Sequence, residues 1–154
     1  SLAVGQNQQF DARLYIFYAV NVTVSTNFIV TLTLTGSNRR LIGIAAEYSG
    51  MATTAPLDKT AGASGTSTSP SSGATAVTAQ ANELVVGVVL TRDNNNVTAG
   101  IGYTKRAEQD EPGQMTMALE DKNVATTGAQ TATATLSPSM EWIAQCATFK
   151  VPLL

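Results

Sequence analysis

The chain of 154 residues contains no histidine and a single cysteine, Cys146. Without histidine, a Ser-His-Asp or Cys-His catalytic site is impossible. Zinc sites built on histidine or on paired cysteines are excluded as well. One cysteine cannot close a disulfide within the chain. Cys146 is therefore expected to be a small buried hydrophobe on the last strand, the alternative being a disulfide to a second chain. Charge is also scarce: charged residues make up 13%, about half the usual ~25%. The net charge is -2, and the basic residues are scattered, with Arg39-Arg40 and Lys105-Arg106 the only tight pairs. No basic stripe exists to neutralise a run of phosphates, so no nucleic-acid partner is expected. The same absence argues against an electrostatic membrane anchor. No segment reaches the roughly 18 apolar residues of a membrane span, so no membrane insertion is expected. No glycine-rich phosphate loop opens a helix, which leaves nucleotide cofactors without support. The start at Ser1-Leu2-Ala3 lacks basic residues and reads as a processed or truncated form.

What the chain does have is strand signal. Hydrophobic residues make up 44%, close to a globular average, so a folded core is expected. A single domain is the natural count at this length. FIVTLTLT (Phe28 to Thr35) alternates Phe28, Val30, Leu32 and Leu34 with Thr31, Thr33 and Thr35. That is the period of a strand with one wet face. QTATATL (Gln130 to Leu136) and MTMALE (Met115 to Glu120) repeat the pattern. ELVVGVVLT (Glu83 to Thr91), LYIFYAV (Leu14 to Val20), LIGIAAEYS (Leu41 to Ser49) and EWIAQCATFK (Glu141 to Lys150) are apolar nearly throughout. They read as strands buried on both faces, and TAGIGYTKR (Thr98 to Arg106) adds another.

Turn-forming clusters separate these runs at hairpin-like spacing, and no amphipathic helix of useful length occurs. The fold class expected is all-β: a two-sheet antiparallel β-sandwich, jelly-roll-like, of about nine short strands. A closed barrel is the alternative. The expected core comprises Val30, Leu32, Leu34, Ile44, Val86, Val88, Ile101, Leu136, Trp142 and Phe149. The domain spans residues 1–154, with residues 51–73 expected as one long surface loop. That stretch is rich in Ser, Thr and Gly and contains no apolar run.

Carboxylates are the one catalytic resource left, and most flank turns. Glu47 stands out within the apolar LIGIAAEYS run. A buried carboxylate needs a partner or a raised pKa. A structural hydrogen bond is the first reading of Glu47, and a catalytic or sugar-binding role the second. Calcium is the one metal with ligands on offer. Asp93, Asn94, Asn95 and Asn96 place four oxygen-bearing side chains on one turn, and calcium favours hard oxygen donors. The same four residues also make a good plain turn, since Asn tolerates left-handed backbone. No other cofactor is expected. Aromatics are few: Tyr15 and Phe17 share a face, Tyr18 points away, and no flat aromatic platform is evident.

A resemblance covers about residues 14 to 150. YAVN (Tyr18 to Asn21), AAEYSGMATTAPLDKTA (Ala45 to Ala61), ANELVVGVVL (Ala81 to Leu90), AGIGYTKR (Ala99 to Arg106) and WIAQCATFK (Trp142 to Lys150) occur in that order. The series resembles a β-sandwich module that recurs in large secreted or cell-surface bacterial proteins and in some phage structural proteins. The resemblance implies a core and turn framework and carries no catalytic residues. In that module further strands precede the YAVN segment, whereas only about a dozen residues do so here. A sandwich short of strands exposes an edge that a partner strand can repair.

The function expected is a non-catalytic extracellular structural or adhesive module of a surface layer, filament or virion. Its expected partners are copies of itself or a neighbouring surface protein. A carbohydrate-binding module with glycan ligands is the alternative. Self-assembly is expected because LYIFYAV and EWIAQCATFK offer no polar face to water, so each needs cover on both sides.

Overall fold

The computed structural model describes residues 1–4, 8–23, 27, 29–36, 40–93 and 95–153. The elements in order are β1 (Leu2–Val4), β2 (Gln8–Gln9), β3 (Ala12–Arg13), β4 (Ile16–Phe17), β5 (Leu57–Ser67), β6 (Glu83–Arg92), β7 (Thr98–Ala99), β8 (Thr104–Glu111), β9 (Met115–Val124), β10 (Ala134–Thr135) and β11 (Met140–Lys150). No helix occurs among the described residues, and every strand pair is antiparallel. The chain has an all-β, sandwich-like fold.

One sheet organises the rest. It has five strands in the order β5-β11-β6-β9-β8. β6 and β11 lie inside it and are buried along nearly their whole length, so continuous Val, Leu and Ile runs suit them. Successive side chains point to opposite faces, and each face has its own core. Leu84, Val86, Val88 and Leu90 of β6 join Leu119, Ile143, Ala147 and Phe149 on one face. Val4, Leu14 and Ile16 of the N-terminal layer complete that core, and Ile42, Ile44, Tyr48 and Met51 pack at its margin. Gln145 points into this layer and donates from Nε2 to the Leu14 carbonyl at 3.0 Å. The N-terminal layer contains one interrupted hairpin, with β1 paired to β4 at its base and β2 to β3 at its tip. The β2-β3 turn places Phe10 and Asp11 at φ of 43° and 58°, the left-handed pair that a tight hairpin turn requires.

The second face is covered by residues 68–78, 95–103 and 128–138. Val89, Val97, Ala118, Ala134, Leu136, Trp142 and Ala144 pack there, with Val85, Ala132 and Cys146 alongside. Main-chain bonds hold this layer together, among them Ser72 N–H to Ala132 O at 2.9 Å and Thr75 N–H to Gln130 O at 2.8 Å. The layer comes so close to the sheet that a Cβ on Gly87 would stand 2.7 Å from the Ala132 Cβ and 3.0 Å from the Glu120 Cγ. Glycine in mid-strand is what permits the approach.

Several expectations need correction. Residues 51–73 are not one long loop, because Leu57–Ser67 forms the 11-residue edge strand β5. Its half-buried Ala61, Ala63 and Gly65 alternate with exposed Thr60, Gly62, Ser64 and Thr66. This is a true period of two, written in residues too small to register as an apolar run. Small residues are needed there: a Cβ on Gly65 would lie 2.9 Å from the Trp142 ring, whose Nε1 donates to Ser67 Oγ at 2.9 Å.

Residues 29–35 and 41–49 are not paired strands, although Ile42 and Ile44 still turn inward while Leu41 and Gly43 face out. Phe28 lies outside the described residues. Of the expected core, Val86, Val88, Leu136, Trp142 and Phe149 are buried and Ile44 is half-buried. Val30, Leu32, Leu34 and Ile101 are exposed. LYIFYAV contributes only the short β4: Leu14 and Ile16 go in, while Tyr15 and Phe17 face out.

Candidate functional site

Exposed apolar side chains cluster in the sequence at residues 29–34, with Leu41 beyond. Ile29, Val30, Leu32, Leu34 and Leu41 are exposed, at 80%, 52%, 54%, 45% and 45%. Phe17, Val20 and Val22 add further exposed apolar surface on the chain leading to it. Single exposed hydrophobes are ordinary, whereas a contiguous row marks an interaction site. Residues 29–35 have no strand partner among the described residues.

On one side the row rests on the chain itself. Leu32 lies against Gly43, where a Cβ would collide with it. The 40–48 segment beneath is anchored to β8 and β9. Arg40 Nη1 donates to Glu111 Oε1 at 2.8 Å, and the Tyr48 hydroxyl donates to Asp121 Oδ2 at 2.8 Å. Arg106 Nε donates to the same oxygen at 2.8 Å. Burial pushes the Asp121 carboxyl up, but the hydrogen bonds from Arg106 and Tyr48 outweigh it and hold the pKa below the usual range. Burial, and then the bond to Asp121, push the Tyr48 phenol well above its ordinary value.

A second exposed feature is aromatic. The Tyr15 and Phe17 rings stack with centroids 5.9 Å apart and planes inclined by 26°. Both rings are exposed, Phe17 more than Tyr15. Tyr18 is half-buried and meets Phe149 edge-on at 5.7 Å.

Within the turn at residues 93–96, Asn95 uses its amide internally; Asn94 lies outside the described residues. Asn95 is buried, donates from Nδ2 to the Pro138 carbonyl at 3.3 Å, and accepts the Ser137 N–H on Oδ1 at 3.4 Å. Its own N–H donates to Thr116 Oγ1 at 3.1 Å. Asp93 and Asn96 are exposed, and Asp93 takes a positive φ of 53°. No group of three or more acidic, His or Cys residues converges on a metal-sized site among the described residues.

Glu47 is exposed, so the buried-carboxylate argument passes to other residues. Glu120 lies on the second face of β9 and accepts the Gly100 N–H on Oε2 at 2.9 Å. Its Oε1 is buried without a hydrogen-bond partner. Burial pushes its pKa up to about 7, against the Gly100 N–H and the Lys122 charge. Lys122 itself sits 4.5 Å over the Tyr103 ring. Glu83 is buried at the start of β6, and burial raises its pKa. Neither of its oxygens meets a partner of good geometry, although the Thr148 hydroxyl and Asp58 lie beside it. Asp58 is tied to the Ala79 N–H at 2.6 Å and to Lys59 Nζ at 3.1 Å.

A depression of about 240 Å³ beside Glu83 is lined by Asn82, Asn123, Val124, Ala125 and Val151. It is smaller than the roughly 300–1,000 Å³ of ordinary ligand sites. These acids escaped notice in the sequence because each borders a turn or a polar neighbour, and nothing local marks the face on which it is buried. Cys146 is free and buried, and burial pushes its thiol up to about 11.

Comparison with models of protein families, with curated protein sequences and with solved structures gives no match.

Proposed function

We propose that the chain is a non-catalytic structural or adhesive module of the cell exterior or a virion surface, and that it assembles with copies of itself. The observation that carries this reading is the set of exposed apolar side chains Ile29, Val30, Leu32, Leu34 and Leu41, with residues 29–35 in no sheet among the described residues. A monomer leaving that row in water would bear a persistent cost of roughly 25 cal/mol per Å² of apolar surface. The Thr- and Ser-rich, charge-poor composition suits such a module. The support for assembly has moved from where the sequence located it. Both faces of β11 are covered within the chain, by Leu14 and Ile16 on one side and Ala134 and Leu136 on the other. That strand therefore gives no reason for a partner, and the 29–41 row supplies one instead. The absence of histidine and the lack of a sizeable cleft beside the buried acids favour a non-catalytic role.

Multi-angle light scattering at micromolar concentration tests the reading. Species larger than one chain, growing with concentration, are expected; a strictly monomeric chain would contradict it.

The Tyr15-Phe17 pair favours a second reading, a carbohydrate-binding module, because stacked exposed rings suit the apolar face of a sugar. A glycan array separates the two: a saturable signal lost in Phe17→Ala supports glycan binding, and no signal removes it.

A further inference from the structure

The chain contains an extended alternating run outside any sheet and a sheet edge without a hydrogen-bonded partner among the described residues. We propose that residues 29–35 of one copy add as a sixth strand to the outer edge of β5 in a second copy. The proposal rests on the self-assembly reading above and names its contact.

The donor is the run from Ile29 to Thr35, in which Val30, Leu32 and Leu34 alternate with threonine, and all of which is exposed. β-branched and apolar residues in strict alternation fit a sheet position. The acceptor is β5, which pairs with β11 on one side and has no hydrogen-bonded strand on its other edge among the described residues, although β1 and β2 pack near it. From Thr60 to Ser67 the acceptor is uncharged and built of Thr, Ala, Gly and Ser. Small side chains leave room for the bulk of Val30, Leu32 and Leu34 across the new pair.

Charge decides between the two edges of the sheet. The other edge, β8, exposes Lys105, Arg106, Glu108 and Asp110. An uncharged strand added there would cover charges without pairing them, and charged edges are a known guard against strand addition. β5 has no such guard over residues 60–67, and a long uncharged edge is a ready acceptor.

Geometry decides between the chain's own edge and a neighbour's. Arg40 binds Glu111 at the end of β8, and Leu32 sits on Gly43, so the donor is held on the β8 side. Four strand spacings of about 4.8 Å put β5 roughly 19 Å away across the sheet. The β5 edge therefore receives the strand of another copy. Donor and acceptor are different surfaces of the chain, so the contact is head to tail. Each copy then gives one strand and takes one, and such a contact extends into an open chain of copies unless it closes into a ring.

Single-cysteine variants test this, because the native Cys146 is fully buried. Arm variants Thr31→Cys, Thr33→Cys and Thr35→Cys are each mixed with edge variants Gly62→Cys, Ser64→Cys and Thr66→Cys under mild oxidation. Lys105→Cys and Gln109→Cys on β8 serve as control edges. Light scattering on the same samples before oxidation reports assembly. The expected result is at least one arm–β5 pair that links more than half of its chains, with arm–β8 pairs at least fivefold lower. Assembly without arm–β5 linkage, or with equal linkage to β8, would overturn strand addition and leave self-assembly standing. Monomeric samples would overturn both.

Discussion

Tyr48 and Asp121 are joined through a single carboxylate oxygen, Oδ2, with the hydroxyl donating at 2.8 Å. That bond ties the 40–51 cover segment to the buried middle of β9, and Arg106 completes the site on the same oxygen. Removing the hydroxyl with Tyr48→Phe is expected to cost about 1.5 kcal/mol, the scale of a hydrogen bond to a charged group. Because the folded pKa of Asp121 is depressed, its contribution is complete above the ordinary Asp range and is lost as pH falls through the folded value. Urea unfolding at pH 7 and pH 3 checks both points: the Tyr48→Phe penalty should be full at the first and smaller at the second.

Glu120 gives the opposite pH dependence. Its folded pKa is raised from 4.5 to about 7. Between those values the folded chain holds a proton that the unfolded chain releases, so this group's contribution is full below the lower value and lost above the upper one. Stability attributable to Glu120 therefore falls as pH rises through that window. Glu120→Gln keeps an acceptor for the Gly100 N–H and removes the titration. The melting temperature of the variant, relative to the wild type, should rise between pH 5 and pH 8; an offset that does not change with pH would refute this.

Gly87→Ala should destabilise by roughly 1–3 kcal/mol, because the new methyl would meet Ala132 and Glu120 in a packed layer. The added Ala132→Gly change should recover part of the loss. A double-mutant cycle by thermal unfolding measures that coupling, and strict additivity would show that the two residues do not meet.

The long, strongly alternating or continuously apolar segments were legible in the sequence: β6, β9 and β11 lie where the pattern placed them. β5 was not, since Ala, Gly, Ser and Thr carry no hydrophobic contrast and its half-buried face is recognised only by the Trp142 ring above it. The reverse error fell on Val30, Leu32 and Leu34. Their alternation states that one face seeks cover, but not whether the cover is in the same chain. Glu47 sits in the more apolar run yet is exposed, whereas Glu120, next to Asp121 and Lys122, is buried under residues 98–103.

Asn95 fastens its turn to the 137–138 segment. Its amide bridges Ser137 and Pro138 from a buried position. Asn95→Ala leaves those groups without partners and should cost roughly 1–3 kcal/mol. The melting temperature of the wild type should not change with chelator or added calcium; a drop with chelator that calcium restores would instead make this turn a calcium site.

Amide hydrogen exchange of residues 29–35, followed as protein concentration rises from sub-micromolar to hundreds of micromolar, tests self-assembly through this row most directly. These amides lack strand partners within the chain among the described residues, so they should exchange rapidly when dilute. Assembly predicts that their protection grows with concentration, while that of β6 and β11 stays constant. Rapid exchange at 29–35 at every concentration would contradict it.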